Sequence, residues 1–204
     1  MGPAQAVKAD NADVDPDWLL LARTAEGDEL AFARLVEHHQ DRVLRLCERM
    51  LAASGEAEEA AQEVFLKLFR RAGSLVPRGL LSTLIYRVTV NHCLNQLRRK
   101  RIARFLPFDR PSAEDEAASF EPPDPRPGAD VQLAARSRWR ATRKAIATLP
   151  ANQRAVLVLA RFEELSYREI ADVLGISLGA VESRLFRAMR NLEKAQEMTL
   201  RGVP

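Results

Sequence analysis

A proline-rich, acidic segment at residues 107–131 constrains the fold of this chain more than any other feature. Such a segment cannot bury enough apolar surface to fold, and so long an irregular loop does not belong inside a compact domain. We therefore predict a flexible linker between two small domains, at residues 17–106 and 132–200, after a disordered N-terminal tail at residues 1–16. The linker prolines are Pro107, Pro111, Pro122, Pro123, Pro125 and Pro127, and its acids are Asp109, Glu114, Asp115, Glu116, Glu121, Asp124 and Asp130.

Both flanking parts of the chain show the periodicity of amphipathic helices, and Leu, Ala and Arg dominate while aromatic residues are few. We therefore predict an all-α fold of two small helical domains. In the first domain, a helix begins near Asp17 and Asp28 is the N-cap of the next one. Ser54-Gly55 is expected to break that helix, and Ser82 to cap the last helix after a loop at residues 73–81.

The second domain carries the pattern of a helix-turn-helix. Ser166-Tyr167-Arg168-Glu169 is a capping box that opens a short helix, Gly175 ends it, and Ser177 caps the final helix. The alternative is a helical hairpin with an exposed basic face. The residues expected to face DNA on the final helix are Gly179, Ala180, Ser183, Arg184 and Arg187.

The first domain contains a long stretch of positive charge. Between Val64 and Phe108 there is no Asp or Glu, whereas there are ten Lys and Arg residues. A field of one sign suits a polyanion such as nucleic acid, although a solvated helix face is the alternative. One helix within this stretch interleaves an aromatic residue, amides and bases, and its candidate DNA-binding residues are Tyr86, Asn91, Asn95, Arg98 and Arg99.

The helix from Glu56 to Phe69 begins with four acids, Glu56, Glu58, Glu59 and Glu63. Acids at a helix start also suit the helix dipole, so a structural role is the alternative to an acidic surface for a protein partner.

Other function classes find little support. Cys47 and Cys93 lack CxxC spacing, and the three His residues form no metal-ligand pattern. No Gly-rich phosphate loop or nucleophile motif indicates an enzyme, so neither a cofactor nor a metal is expected. No apolar run reaches membrane-spanning length and the N-terminus lacks an apolar signal core, so we expect a cytoplasmic protein without membrane insertion.

These motifs together resemble a known family. AEGDELAFARLVEHHQDRVLRL resembles region 2.1 of the extracytoplasmic-function (ECF, group IV) RNA polymerase sigma factors of the sigma-70 family. EEAAQEVFLKLF resembles region 2.2, and STLIYRVTVNHCLNQLRRKR resembles regions 2.3 and 2.4. LPANQRAVLVLARFEELSYREIADVLGISLGAVESRLFRAMRNL is similar to region 4 over nearly its full length.

The resemblance implies a transcription initiation factor that binds core RNA polymerase and promoter DNA and performs no bond chemistry. It implies that the second domain docks on the β flap and recognises the −35 element. It also implies that the last helix of the first domain, with the loop before it, recognises a separated −10 strand. An anti-sigma factor is an expected partner, and a monomer is expected away from polymerase. The residues implied to grip the β′ clamp coiled coil are Glu59, Gln62, Glu63, Phe65 and Leu66.

The chain departs from the family pattern at three places. Glu182 stands where the family often has Lys, no Trp precedes Tyr86-Arg87, and the loop Ser74–Leu81 lacks the usual aromatics. That loop also contains a thrombin-like run, Leu75–Gly79. The alternative function is a helix-turn-helix regulator that binds DNA without polymerase.

Overall fold

The computed structural model describes residues 15–51, 54–105 and 141–200. The predicted linker and nearly all of the predicted N-terminal tail lie outside the described residues. Within the described part every regular element is helical, which confirms the all-α prediction. No described helix is both long enough and apolar enough to cross a membrane.

Among the described residues, four helices lie in the first domain and four in the second. The first four are α1 (Pro16–Ala25), α2 (Glu29–Leu51), α3 (Ser54–Arg71) and α4 (Leu81–Phe105), with a 3-10 turn at Ala72–Ser74 after α3. The second domain contains α5 (helical residues 141–147), α6 (Ala151–Arg161), α7 (Tyr167–Leu174) and α8 (Leu178–Leu200).

The first domain packs α1, α3 and α4 around α2 because α2 is strongly amphipathic. Its fully buried residues Leu35, Leu46 and Met50 belong to the same buried cluster as Val64 and Leu68 of α3. Each such side chain stabilises the fold by about 1.5–3 kcal/mol relative to exposure. Truncating Leu46 to Ala removes that term and leaves a cavity, which costs about 2–5 kcal/mol.

Local signals cap α1 and α2, whereas a side chain distant in sequence caps α4. Asp28 accepts a hydrogen bond from the Ala31 amide at 3.0 Å, which confirms it as the cap of α2. The predicted break between two helices is present, since α2 ends at Leu51 and α3 begins at Ser54, but Ser54-Gly55 forms the first turn of α3 instead of the break itself. The prediction that Ser82 caps α4 was wrong, because α4 begins at Leu81 and the distant Asp15 carboxylate accepts from the Leu81 amide at 2.8 Å.

The second domain is a helix-turn-helix, as predicted. Ser166 and Glu169 form the reciprocal capping box of α7, and Gly175 ends that helix with a φ of 63°. A left-handed residue is needed there, and only glycine adopts it without strain. The Ser177 hydroxyl then accepts from the Ala180 amide at 3.3 Å and caps α8.

The two domains pack against each other through α2 and α6 and through α4 and α7. Arg49 Nη1 lies 2.7 Å from Glu163 Oε1, with both side chains largely buried. Arg87 Nη2 donates to the Asp172 carbonyl at 2.6 Å, and Arg154 donates to the carbonyl of Met50. The composition on which the linker prediction rests carries no information about this contact.

Candidate nucleic-acid and protein interfaces

The outward face of α8 is basic and lies opposite its buried stripe. Val181, Leu185 and Ala188 face the core, which turns Gly179, Ser183 and Arg187 outward. Gly179 and Arg187 are exposed and Ser183 is half-buried. Ala180 and Arg184, also predicted to face DNA, are half-buried at the edge of this face.

The same face carries an aromatic residue that sequence reasoning missed. Phe186 is 64% exposed, and the guanidinium carbon of Arg190 lies 5.8 Å from its ring centroid. A large exposed aromatic side chain beside a cation can stack on a base. The signal in the sequence was its position, since Phe186 lies three residues after Ser183 and four before Arg190, on the same side of the helix as both.

α4 presents an exposed stripe of amides and bases. Arg87, Asn91, Asn95 and Arg98 recur at helical spacing and are all exposed, with Arg99 exposed beside them. Amides can hydrogen-bond base edges and Arg can hold phosphates. The structure therefore brings together four of the five residues predicted to contact the −10 strand.

The fifth of these residues, Tyr86, lies elsewhere. It is 5% exposed and its hydroxyl donates to Glu163 Oε2 of the second domain at 3.1 Å. Burial and the neighbouring Glu163 charge raise the pKa of this phenol above its ordinary value. In the described arrangement Tyr86 is part of the contact between the domains and cannot meet DNA.

Glu163 is the centre of that contact. Its two carboxylate oxygens bind Arg49 and Tyr86, one each. The Arg49 guanidinium also lies 4.8 Å from the centroid of the Phe162 ring. One carboxylate thus ties α2 and α4 to the turn after α6.

The outer face of α3 combines acids with apolar side chains. Glu59 and Gln62 are exposed, Glu63 is half-buried and Leu66 is 42% exposed. The remaining residue of the predicted clamp-binding set, Phe65, is only 8% exposed and packs in the core. Its contribution to any interface is therefore to hold the helix in place.

Two neighbours extend this α3 face. Phe69 is 45% exposed and meets Phe32 edge to face, with ring centroids 5.0 Å apart. Beside Glu63, Lys67 contacts Nδ1 of His92. Burial and the Lys67 charge lower the pKa of His92 below its ordinary value. The neutral imidazole accepts this bond, so the edge of the face near α4 stays positive through Lys67.

The two cysteines meet inside the first domain. Cys93 Sγ lies 3.9 Å from Cys47 Sγ, and both are free and buried. The hydrogen bond from Cys93 and the buried setting raise the pKa of the Cys47 thiol, which keeps it protonated and weakly reactive. Among residues 15–51, 54–105 and 141–200 there is no group of three or more His, Cys, Asp or Glu suited to a metal ion.

This chain is similar in sequence to known families and proteins. Residues 35–102 match the family described as Sigma-70 region 2, and residues 139–192 match Sigma-70, region 4. The RNA polymerase sigma-H factor of Pseudomonas aeruginosa is 33% identical over 193 residues, which cover 92% of this chain and 97% of that protein. The ECF RNA polymerase sigma-E factor of Escherichia coli K12 is 30% identical over 189 residues, covering 91% and 96%.

A solved structure shares the fold. It contains the sigma factor RpoE in complex with the anti-sigma factor NepR from Bartonella quintana. The TM-score is 0.58 at 17% identity, and the alignment covers 81% of this chain and 96% of that one.

Proposed function

We propose a division of labour between the two domains of this chain, which belongs to the ECF sigma factors of the sigma-70 family. It is an alternative sigma factor for transcription initiation and not an enzyme. We place it in group IV of that family and in the cytoplasm, where its polymerase partner works. The domain limits that we propose are those of the sequence prediction, with regions 2 and 4 on either side of the linker.

The second domain is proposed to bind the −35 element with α8 in the major groove. The surroundings of Gly179 are open, because a Cβ built there would meet no other atom of the protein. The missing side chain lets the start of the helix approach the DNA closely. Ser183 and Arg187 are placed to contact base edges, and Arg184 and Arg190 to contact phosphates. The same domain is proposed to dock on the β flap of polymerase.

The first domain is proposed to hold the separated −10 strand along α4. The exposed stripe of Asn91, Asn95 and Arg98 supports this, because unpaired bases expose edges that amides can bind. The acidic and apolar face of α3, through Glu59, Gln62 and Leu66, is proposed to grip the β′ clamp coiled coil. Acids surrounding an exposed Leu suit a basic partner surface with an apolar centre.

Promoter binding requires the two domains to separate. The −35 and −10 elements lie about 25 base pairs apart, which is roughly 85 Å along B-form DNA. The contacts of Glu163 with Arg49 and Tyr86 hold the domains side by side and have to open before both elements are engaged. Opening also frees Tyr86 for the −10 strand.

An anti-sigma factor is the remaining proposed partner. The Bartonella quintana RpoE structure, which shares this fold over most of the chain, is a complex with such a factor. We propose that a protein of this class binds the present chain and withholds it from polymerase.

The observation that carries the proposal is the pair of exposed basic faces, one on α4 and one on α8, in a chain that matches both sigma regions. The test is promoter binding and transcription with purified core polymerase. We expect footprints at both elements and run-off transcript only when polymerase and this protein are present together. A protein that shifts duplex promoter DNA alone, and adds nothing to polymerase, would instead be a regulator acting without polymerase.

A further inference from the structure

The loop between the 3-10 turn and α4, residues 75–80, presents apolar side chains to solvent. Val76 is 55% exposed and Leu80 is 57% exposed, whereas Leu75 packs partly against the core. Gly79 adopts a φ of 65° just before Leu80 and turns the chain toward α4. We refer to residues 75–80 as the presenting loop.

Two side chains of the α1 region hold the backbone on both sides of Leu80. The Trp18 indole donates from Nε1 to the Gly79 carbonyl at 2.7 Å. Asp15 Oδ2 accepts from the Leu81 amide at 2.8 Å. The donor and acceptor are separated by 61 and 66 residues in the sequence, so both bonds are tertiary contacts.

Asp15 also serves α1 itself. Its second oxygen, Oδ1, accepts from the Asp17 amide at 3.1 Å, which caps α1. One carboxylate therefore caps the first turns of α1 and α4 together, and its negative charge suits the positive ends of both helices. The C-terminal end of the presenting loop is therefore held by residues at the start of α1, and not by residues close to the loop in sequence.

Core packing does not explain these two bonds. Trp18 is 4% exposed, and a Phe would fill most of the same space, but only an indole can donate to the Gly79 carbonyl. The bonds converge on the peptide units that flank Leu80, an exposed residue that adds little to the core. They fix the backbone on both sides of an apolar side chain that is 57% exposed.

A base extruded from a duplex is commonly held between apolar or aromatic side chains. The presenting loop has no aromatic residue, so Val76 and Leu80 offer only modest contact area. Such a surface captures a base well only if its backbone is ordered beforehand, because ordering it at the moment of binding weakens binding.

We propose that Asp15 and Trp18 are positioning residues that preorganise the presenting loop to receive an unpaired base of the −10 strand against Val76 and Leu80. This inference rests on the proposed −10 recognition by the first domain. It adds α1 to the −10 recognition machinery, although α1 contributes none of the contacts proposed above.

The test uses the protein bound to core polymerase and a fluorescent single-stranded oligonucleotide that carries the −10 non-template sequence. We expect Asp15→Ala and Trp18→Phe each to weaken oligonucleotide binding about fivefold, the effect of losing roughly one net hydrogen bond. Asp15→Asn retains a side-chain oxygen that can accept from Leu81, and Asn caps helices as well as Asp does. Asp15→Asn is therefore expected to bind like the wild type.

Ser166→Ala is the matched control, because it removes the N-cap of α7 in the other domain. We expect it to lower the melting temperature as Asp15→Ala does and to leave oligonucleotide binding unchanged. Core-polymerase affinity should be unchanged in all four variants. Asp15→Ala and Trp18→Phe proteins that bind the oligonucleotide as the wild type does would overturn the inference, and so would a parallel loss of polymerase affinity.

The failure of the proposed function has a different signature. A wild-type holoenzyme that does not bind the oligonucleotide would overturn −10 recognition and this inference with it. If Asp15→Ala fails to fold, Trp18→Phe alone decides, since it keeps an aromatic ring in the core and removes one donor.

Discussion

Replacing Glu163 with Gln tests whether the contact between the domains depends on one buried carboxylate. The Arg49–Glu163 distance is 2.7 Å, and the side chains are 15% and 5% exposed. Glu163→Gln keeps the shape and one acceptor oxygen, but it removes the negative charge that lies 2.7 Å from Arg49 Nη1. Removing one partner of a buried pair costs about 3–5 kcal/mol, and a hydrogen bond to a charged group contributes about 1.5–3 kcal/mol.

This loss of free energy destabilises only the closed state, in which the two domains are in contact. In the open state the domains are separated and water solvates Arg49. Since Gln retains one hydrogen bond, we expect the closed state to lose about 2 kcal/mol, which shifts the closed–open equilibrium roughly thirtyfold toward open. Apparent affinity for core polymerase should rise if only the open state binds, by up to the same factor.

The assay is energy transfer between dyes on the free protein, attached at Glu58→Cys and Lys194→Cys. Both positions are exposed and lie in different domains, and the native Cys47 and Cys93 are buried. Glu163→Gln should lower the transfer efficiency.

Asp41→Asn is the control for that measurement, because it removes an exposed ion pair with Arg45 at 3.9 Å. Such surface pairs contribute about 0–1 kcal/mol, so the transfer efficiency should not change. A Glu163→Gln protein with wild-type transfer efficiency and wild-type stability would show that the carboxylate does not hold the domains together.

Four further predictions follow from individual residues. Arg187→Ala should reduce run-off transcription about tenfold, since a lost base contact costs about 1–3 kcal/mol; unchanged output and sequence preference would remove Arg187 from the DNA-binding face. Glu182 is exposed on α8, and Glu182→Lys should make the slope of log affinity for the −35 element against log salt concentration steeper by about one unit. An altered sequence preference without a salt effect would mean that Glu182 contacts a base. Glu59→Ala with Gln62→Ala should weaken core-polymerase binding by about 2 kcal/mol or more while the melting temperature stays nearly constant, and a large fall in melting temperature would show a structural role instead. Burial acts to raise the pKa of Asp17, but hydrogen bonds from two histidines outweigh burial, and the pKa lies below its usual 3.8. The Asp17 carboxylate should therefore stabilise the fold above about pH 4 and lose this contribution as the pH falls further. If the melting temperature of Asp17→Asn falls with pH as steeply as that of the wild type in this range, the prediction is wrong.

The sequence predicted the features of this fold that depend on near neighbours. The capping box at Ser166 and Glu169 and the glycine cap at Gly175 each involve residues within a few positions, so their geometry follows from local chemistry. Helical periodicity likewise predicted amphipathic helices in both parts of the chain, because a period of 3.6 residues is a property of the helix itself, and α2 and α8 each bury one face.

Features that depend on distant partners escaped prediction. Ser82 was the best local cap for α4, but Asp15 reaches the Leu81 amide from 66 residues away. Tyr86 lies at the border of an amphipathic face, where periodicity cannot say whether solvent, DNA or a second domain covers it. The roles of Asn91, Arg98 and the α3 face stay predictions, since surface exposure is compatible with any partner of matching charge.

Buried polar bonds mark the contact between the domains, and they suit a contact that opens. Leu, Val and Ile dominate the buried cluster, which includes residues of both domains, and exposing such side chains to water is costly. The central polar contacts between the domains are those of Glu163 with Arg49 and Tyr86, together with two Arg–carbonyl bonds. Buried ion pairs offset a large desolvation cost, so their net contribution is small, and both charges recover hydration when separated. A contact of this kind orients the two domains while they are together. A partner that binds either domain more tightly than the other domain does can separate them at little cost in free energy. A contact made of apolar side chains alone would resist opening more strongly, because all of the area that it buries would return to water.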